Sequence, residues 1–189
     1  MNVPESAPRT IAMQRIFKGR VFNLRSDEVR WNDGAVERLD IVEHRGSVAI
    51  VALTADGALV LVRQYRHAAA RFLWEIPAGV VEPSETPIDG ARRELAEETG
   101  YRAGRVRALG GCYVTPGYCD EFLQFVLAED LTAGHQNLDQ DERIAVACFS
   151  PAQALAMTAR GEIADAKTLL AIAWLQSDKS QLLGIASDT

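Results

Sequence analysis

A chain of 189 residues is long enough for one ordinary domain, or one domain with a small appendage, and its 48% hydrophobic and 24% charged content excludes wholesale disorder and a fibrous repeat. Its 20 basic and 26 acidic side chains leave a net charge of −6, so no global positive field draws it to nucleic acid or anionic lipid. The longest apolar runs, Ser47 to Leu53 and Ala58 to Val62, fall well short of a ~20-residue membrane span. The opening MNVPESAPRT lacks the basic-then-apolar pattern of a secretory leader, so the cytoplasm is the expected location, with no nucleic acid and no membrane as partner.

In chain order, the first dozen residues and the last ten read as weakly structured. Arg20 to Glu43 reads as a strand, a turn at Asn32-Asp33-Gly34 and a second strand, giving an antiparallel hairpin. Ser47 to Thr54 and Ala58 to Gln64 are Val- and Leu-rich runs joined by Ala55-Asp56-Gly57, expected to form another hairpin of central strands. Trp74 to Glu85 reads as a loop, since Pro77, Gly79 and Pro83 oppose regular structure. A helix follows whose ends are both written: Thr86 caps it, Pro87 suits its first position, Asp89 stands three residues after the cap, and Gly100 stops it. Val106 to Gly111, Glu121 to Ala128 and Arg143 to Phe149 read as strands, and helical patterns begin at Ala152 and Asp165. This irregular alternation predicts an α+β or mixed α/β fold rather than a doubly wound parallel sheet.

The three cysteines, Cys112, Cys119 and Cys148, form no C-x-x-C pair and are read as reduced thiols filling core gaps; His44, His67 and His135 show no zinc-ligand spacing.

Within the clearest helix, Glu94, Glu97 and Glu98 stand at i, i+3 and i+4 and converge on one face, beside apolar Ile88, Ala91 and Leu95. The last two turns are where the helix dipole disfavours anions, by ~0.3–1 kcal/mol each, and like charges at i,i+4 add ~0.2–0.5 kcal/mol. Stability alone would not select this arrangement. Clustered carboxylate oxygens are, however, what a hard divalent cation such as Mg²⁺ prefers.

Read from Gly79, the segment GVVEPSETPIDGARRELAEETGY resembles the Nudix box, G-x5-E-x7-R-E-U-x-E-E-x-G-U with U hydrophobic. Gly79, Glu85, Arg93, Glu94, Leu95, Glu97, Glu98 and Gly100 fill its fixed positions, and Tyr101 its last hydrophobic one. Gly79 would permit the loop turn, and Glu85 can pair with Arg93 to pin the loop to the helix. The resemblance implies an α/β/α sandwich around a mixed β-sheet, preceded by the antiparallel hairpin, and divides the chain into residues 1–44, a hairpin subdomain for dimerisation; 45–178, the hydrolase domain; and 179–189, a tail. It also implies hydrolysis of a nucleoside diphosphate linked to another group, with one to three Mg²⁺ or Mn²⁺ ions. Glu94 and Glu98 would be the principal ligands, Glu97 an additional one and the Ala78 carbonyl a backbone one, so that Glu97 and Glu98 belong to the catalytic set.

Beyond the box, Trp74-Glu75-Ile76-Pro77-Ala78-Gly79 resembles the E-L-P-A-G segment of ADP-ribose and related nucleoside diphosphate sugar pyrophosphatases, and Gln64-Tyr65-Arg66 their Q-Y-R. Pro116, 16 residues after Gly100, has a spacing associated with ADP-ribose hydrolysis in this family, though Thr115-Pro116-Gly117 is also an ordinary turn sequence. The resemblance implies that Arg66 contacts a substrate phosphate, against the plain reading of a surface ion pair, and that Arg38 of the hairpin reaches the substrate from a partner subunit. Trp31, Phe17 and Phe22 are candidates to stack a base or to serve as core or interface. Similar enzymes take a general base from a loop after the box, where Glu142 aligns best and Asp139 and Asp141 compete. Relatives with such a hairpin form homodimers.

The favoured reading is a Mg²⁺-dependent pyrophosphatase of ADP-ribose or an ADP-sugar, releasing AMP and a sugar phosphate. GDP-mannose or another nucleotide sugar would need no change in chemistry. A domain that only senses a nucleotide sugar is the non-enzymatic reading, and a cleanser of damaged triphosphates is disfavoured by the long hairpin.

Overall fold

A computed structural model of the protein describes residues 6–138 and 143–177. The chain divides into two compact units, one holding the described residues up to Gly46 together with Cys112–Leu123, the other Ser47–Gly111 and the described residues from Gln124 onward.

In the first unit β1 (Arg9–Lys18), β2 (Phe22–Arg30) and β3 (Val36–His44) form an antiparallel sheet in that order. The turn of the expected hairpin lies at Asn32-Asp33-Gly34: Trp31 N–H donates to Ala35 O at 2.9 Å, and Gly34 takes the left-handed φ of 89° that such turns demand. The strand before it corrects the expectation of a weakly structured amino terminus. All ten residues of β1 are exposed, so no buried face imposed the apolar alternation by which strands are recognised. Segment 112–123 lies along β3, where Val42 N–H donates to Tyr118 O at 2.7 Å and Asp120 N–H to Val42 O at 3.1 Å.

In the second unit β4 (Ser47–Ala52) is buried throughout, and β5 (Leu59–Arg66) is buried over its first half. The tight turn between them is present, with Gly57 N–H donating to Thr54 O at 2.9 Å, but an isolated Leu53–Leu59 bridge stands in place of a ladder and the strands enter different sheets. One sheet runs β7 (Ala78–Val80), β4, β9 (Phe122–Thr132), β8 (Arg102–Tyr113), and the other β10 (Ala145–Phe149), β5, β6 (Arg71–Glu75). Both runs are central strands, as expected. A uniformly apolar run fixes burial on both faces but does not choose its neighbour, which is why the expected hairpin ladder is absent. The segment read as a loop likewise contains the end of β6 and the short β7, which pairs at the sheet edge where Pro and Gly are tolerated.

Helices α1 (Pro87–Thr99), α2 (Pro151–Ala159) and α3 (Ala166–Gln176) complete the α/β architecture. Ala91 and Leu95 of α1 pack with Val48, Ile50 and Ala52 of β4, Val60, Val126 and Ala128, with Ile88 at the margin. Full burial of Leu95 contributes about 1.5–3 kcal/mol and anchors α1 against the sheet, with the acidic residues on the adjoining face. Phe125 of β9 meets Trp174 of α3 edge-on, centroids 4.4 Å apart.

None of the three cysteines fills a core gap: Cys148 is exposed and the others are half-buried. All are free thiols, and Cys148 Sγ lies 3.8 Å from the Tyr101 hydroxyl.

Candidate active site

Helix α1 begins and ends where its sequence says. Asp89 N–H donates to Thr86 Oγ1 at 3.2 Å, the Thr86 hydroxyl donates to the Asp89 carboxylate at 2.6 Å, and Gly100, with φ 76°, returns its N–H to Ala96 O. These ends fix the phase of the helix, and so the side on which its glutamates emerge.

Arg93 organises that side. Its Nε and Nη2 donate to Glu85 at 2.8 and 2.9 Å as a fork, Nη2 also to Val80 O at 3.0 Å, and Nη1 to Glu94 at 2.7 Å and Glu97 at 3.0 Å. All five guanidinium donors are thus engaged. The bonds from Arg93 hold the Glu85 carboxyl below the usual carboxylate range, and those to Glu85, then Glu94 and Glu97, raise Arg93 further despite burial. Glu85 also accepts from Glu82 N–H at 3.1 Å, so the loop preceding α1 is tied to the helix at both ends of one carboxylate.

The loop approaches closely because Gly79 has no side chain. A Cβ there would overlap the Glu94 carboxylate, which lies directly over the Gly79 backbone. Next to it, Glu98 is 4% exposed and accepts from Ala78 N–H at 3.1 Å. The structure therefore brings together Ala78, Gly79, Glu85, Arg93, Glu94, Glu97 and Glu98. Among the described residues no three or more His, Cys, Asp or Glu side chains are gathered in a ready metal-holding group, and Arg93 supplies the positive charge between Glu85, Glu94 and Glu97. The donor set still suits a hard divalent ion. It is all oxygen, one carboxylate is almost wholly buried, and Gly79 leaves space for another beside the loop.

Arg66 donates as a fork to Glu75, Nε to Oε1 at 2.8 Å and Nη2 to Oε2 at 2.7 Å, in the ion pair that the plain reading anticipated. Its partner is no surface group, since the Glu75 side chain is 2% exposed. Arg38 and Pro116 belong to the first unit. Arg38 Nε donates to Ser26 Oγ at 2.7 Å, and Pro116 lines a concavity of about 290 Å³ with Arg25, Ile41, Tyr113, Cys119 and Asp120. Phe17 and Phe22 face each other at 6.0 Å, and the Trp31 indole N–H is buried with no hydrogen-bond partner among the described residues. Glu142, Asp139 and Asp141 lie outside the described residues.

Three further residues belong to the site without a sequence signal. Gln136 Nε2 donates to Glu98 O at 2.6 Å and Asn137 N–H to Glu97 O at 3.0 Å, satisfying carbonyls that the end of α1 would leave open. Lys167 donates through Nζ to Glu75 Oε2. None of these contacts follows from local spacing, and an alignment of co-varying positions is the signal that could have found them.

A family model, the NUDIX domain, matches residues 43–172. The chain belongs to the NUDIX family. It is 39% identical over 170 residues to the ADP-ribose pyrophosphatase of Bacillus subtilis, which covers 89% of this chain and 92% of that protein. Over the same shares it is 36% identical to the methanol dehydrogenase activator of Bacillus methanolicus. It is 34% identical over 182 residues to the GDP-mannose pyrophosphatase of Citrobacter koseri, covering 89% and 95% of the two chains. A crystal structure of an ADP compounds hydrolase superposes with a TM-score of 0.81 over 90% of this chain and 92% of that one; at 22% identity it shows that the NUDIX protein shares that fold.

Proposed function

We propose that this NUDIX protein hydrolyses the diphosphate of ADP-ribose or a related ADP-sugar: water adds to one phosphorus, the bridging oxygen leaves with the other, and AMP and a sugar phosphate result. The observation that carries the reading is the clamped acidic face of α1, in which Arg93, pinned by Glu85, holds Glu94 and Glu97 while Ala78 N–H donates to Glu98 beside the Ala78-Gly79 loop. The likeness to the B. subtilis pyrophosphatase supplies the substrate class. Glu94 and Glu98 would be the main holders of Mg²⁺ or Mn²⁺, one to three ions, with Glu97 and the Ala78 carbonyl completing the set. Such a cation, when bound, offsets phosphate charge and strengthens water as a nucleophile.

The remaining roles fall to side chains that bind or move a proton. Arg66, Arg38 and Pro116 contact the substrate, and Glu142 takes the proton of the attacking water. Support for a base from residues 139–142 comes from the preceding residues, because Gln136 and Asn137 bond the backbone of Glu98 and Glu97. Residues 1–44 would pair two copies of the chain, 45–178 would be the hydrolase and 179–189 a tail. Ile11, Met13, Ile16 and Phe17 of β1, each 37–61% exposed on an edge strand, favour a second copy as the cover. The cytoplasm is the proposed location.

The likeness to the C. koseri protein favours GDP-mannose as the second reading, since nothing in the clamped helix selects base or sugar. One panel tests both. ADP-ribose, ADP-glucose, GDP-mannose, NADH, diadenosine polyphosphates and nucleoside triphosphates are incubated with Mg²⁺ and then with EDTA, and products are identified. Mg²⁺-dependent release of AMP from ADP-ribose is expected; turnover confined to triphosphates, or none at all, refutes the proposal.

A further inference from the structure

Glu75 ends β6 with a side chain only 2% exposed, and it is held by two cations where one would neutralise it. Arg66 takes both its oxygens as a fork, and Lys167 Nζ reaches Oε2 while lying 3.0 Å from Asp165 Oδ1. Lys167 thus bridges two carboxylates, and the four charges of Arg66, Lys167, Glu75 and Asp165 sum to zero. Without the ammonium the remaining three would sum to −1, and the Arg66 guanidinium would be the sole cation among them. Of the two cations Arg66 is the one turned to solvent, its side chain 43% exposed against 12% for Lys167. An anion arriving from solvent therefore meets Arg66, while Lys167 serves it from behind.

The same turn of α3 also holds the backbone that leads to the glutamates. Asp165 caps α3 by accepting from Thr168 N–H at 3.0 Å, and the fully buried Thr168 hydroxyl oxygen accepts Ile76 N–H at 2.8 Å. Two residues on, Ala78 N–H donates to Glu98. The first turn of α3 thus fixes both the anchor of Arg66 and the strand end next to the Ala78-Gly79 loop.

We infer that Lys167 is a positioning residue for nucleotide-sugar hydrolysis: by sharing the Glu75 carboxylate and tying it to Asp165, it fixes the Arg66 guanidinium and leaves it the charge to take a substrate phosphate. The inference rests on the function proposed above and adds a residue far from the helix motif to the phosphate-binding apparatus. A carboxylate gripped by one flexible cation moves with that cation; a second grip removes the freedom.

The test uses the full chain with Mg²⁺ and ADP-ribose. Lys167→Met keeps the stem and removes the ammonium, and it raises KM about tenfold with kcat changed less than about threefold; Lys167→Arg returns KM to within about threefold of wild type. A purely structural role is separated by the double variant Lys167→Met/Glu75→Gln. It removes the Glu75 charge together with the ammonium, so Tm returns toward wild type, yet Arg66 has lost its charged anchor and KM stays high. A Lys167→Met protein with KM within about twofold of wild type, or a double variant whose KM recovers together with Tm, overturns the inference. If Lys167→Met does not fold, the double variant decides alone. A wild-type protein that cleaves no nucleoside diphosphate sugar takes down the proposed function and this inference together, whereas the variant results above sink only the latter.

Discussion

Replacing Arg93 with lysine keeps the charge and removes the fork, and it isolates what the clamp contributes. Arg93 makes five hydrogen bonds, four to the carboxylates of Glu85, Glu94 and Glu97 and one to Val80 O. An ammonium has three donors, so at least two bonds go. At ~1.5–3 kcal/mol for a bond to a charged partner the gross loss is about 3–6 kcal/mol. The Arg93 side chain is 26% exposed, so water replaces part of it and a net destabilisation of about 2 kcal/mol is expected. For a chain of this size that is a fall in Tm of roughly 4–8 °C. Thermal unfolding of Arg93→Lys beside wild type reads it directly, and Mg²⁺-dependent turnover falls at least about tenfold because Glu94 and Glu97 lose their fixed placement. A Tm within about 1 °C of wild type would show that the fork holds nothing and refute the reasoning.

Other perturbations test separate parts of the site. Gly79→Ala puts a methyl where the Glu94 carboxylate lies, so the glutamate must swing away from Arg93, and turnover should drop about a hundredfold, more than Tm would suggest; near-normal turnover would count against the close approach. Burial alone would raise the Glu75 carboxyl, but Arg66 and Lys167 outweigh it and hold it below the usual range. Its contribution to stability is therefore fully present above the ordinary glutamate value of about 4.3, starts to fade below it and is lost as pH falls through the lower value held in the fold. Urea unfolding at pH 7 and pH 4 should show a smaller acid loss for Glu75→Gln than for wild type. Glu142→Gln should lower kcat at least about a hundredfold with KM little changed, and turnover near wild type would remove Glu142 as the base. Light scattering is expected to report a dimer, and Met13→Asp with Phe17→Asp on β1 to report a monomer.

What the sequence disclosed is what short-range chemistry encodes. Thr86, Pro87, Asp89 and Gly100 mark both ends of α1 because capping groups act within a few residues, and Glu85 meets Arg93 across eight positions of one loop and helix. The same locality hid the rest. Glu75 and Lys167 are 92 positions apart, and Gln136 and Glu98 are 38, distances over which periodicity carries no information. Strand β1 carries no such signal, since neither of its faces is buried, and the β4 and β5 runs mark themselves as central but not as members of separate sheets. Arg66 could be read either as a phosphate ligand or as half of an ion pair; only the fold discloses that its partner is buried and shared.

The last carbonyls of α1 are closed by an amide and an N–H from residues 136 and 137, a segment that arrives from far along the chain. The 23 residues from Gly79 to Tyr101 are therefore not a portable cassette. Cut out as a peptide, the 13-residue helix within them would be marginal in water and would lose the groups that close the end carrying Glu97 and Glu98. Any attempt to transplant them into another scaffold must bring along a substitute for Gln136 and Asn137.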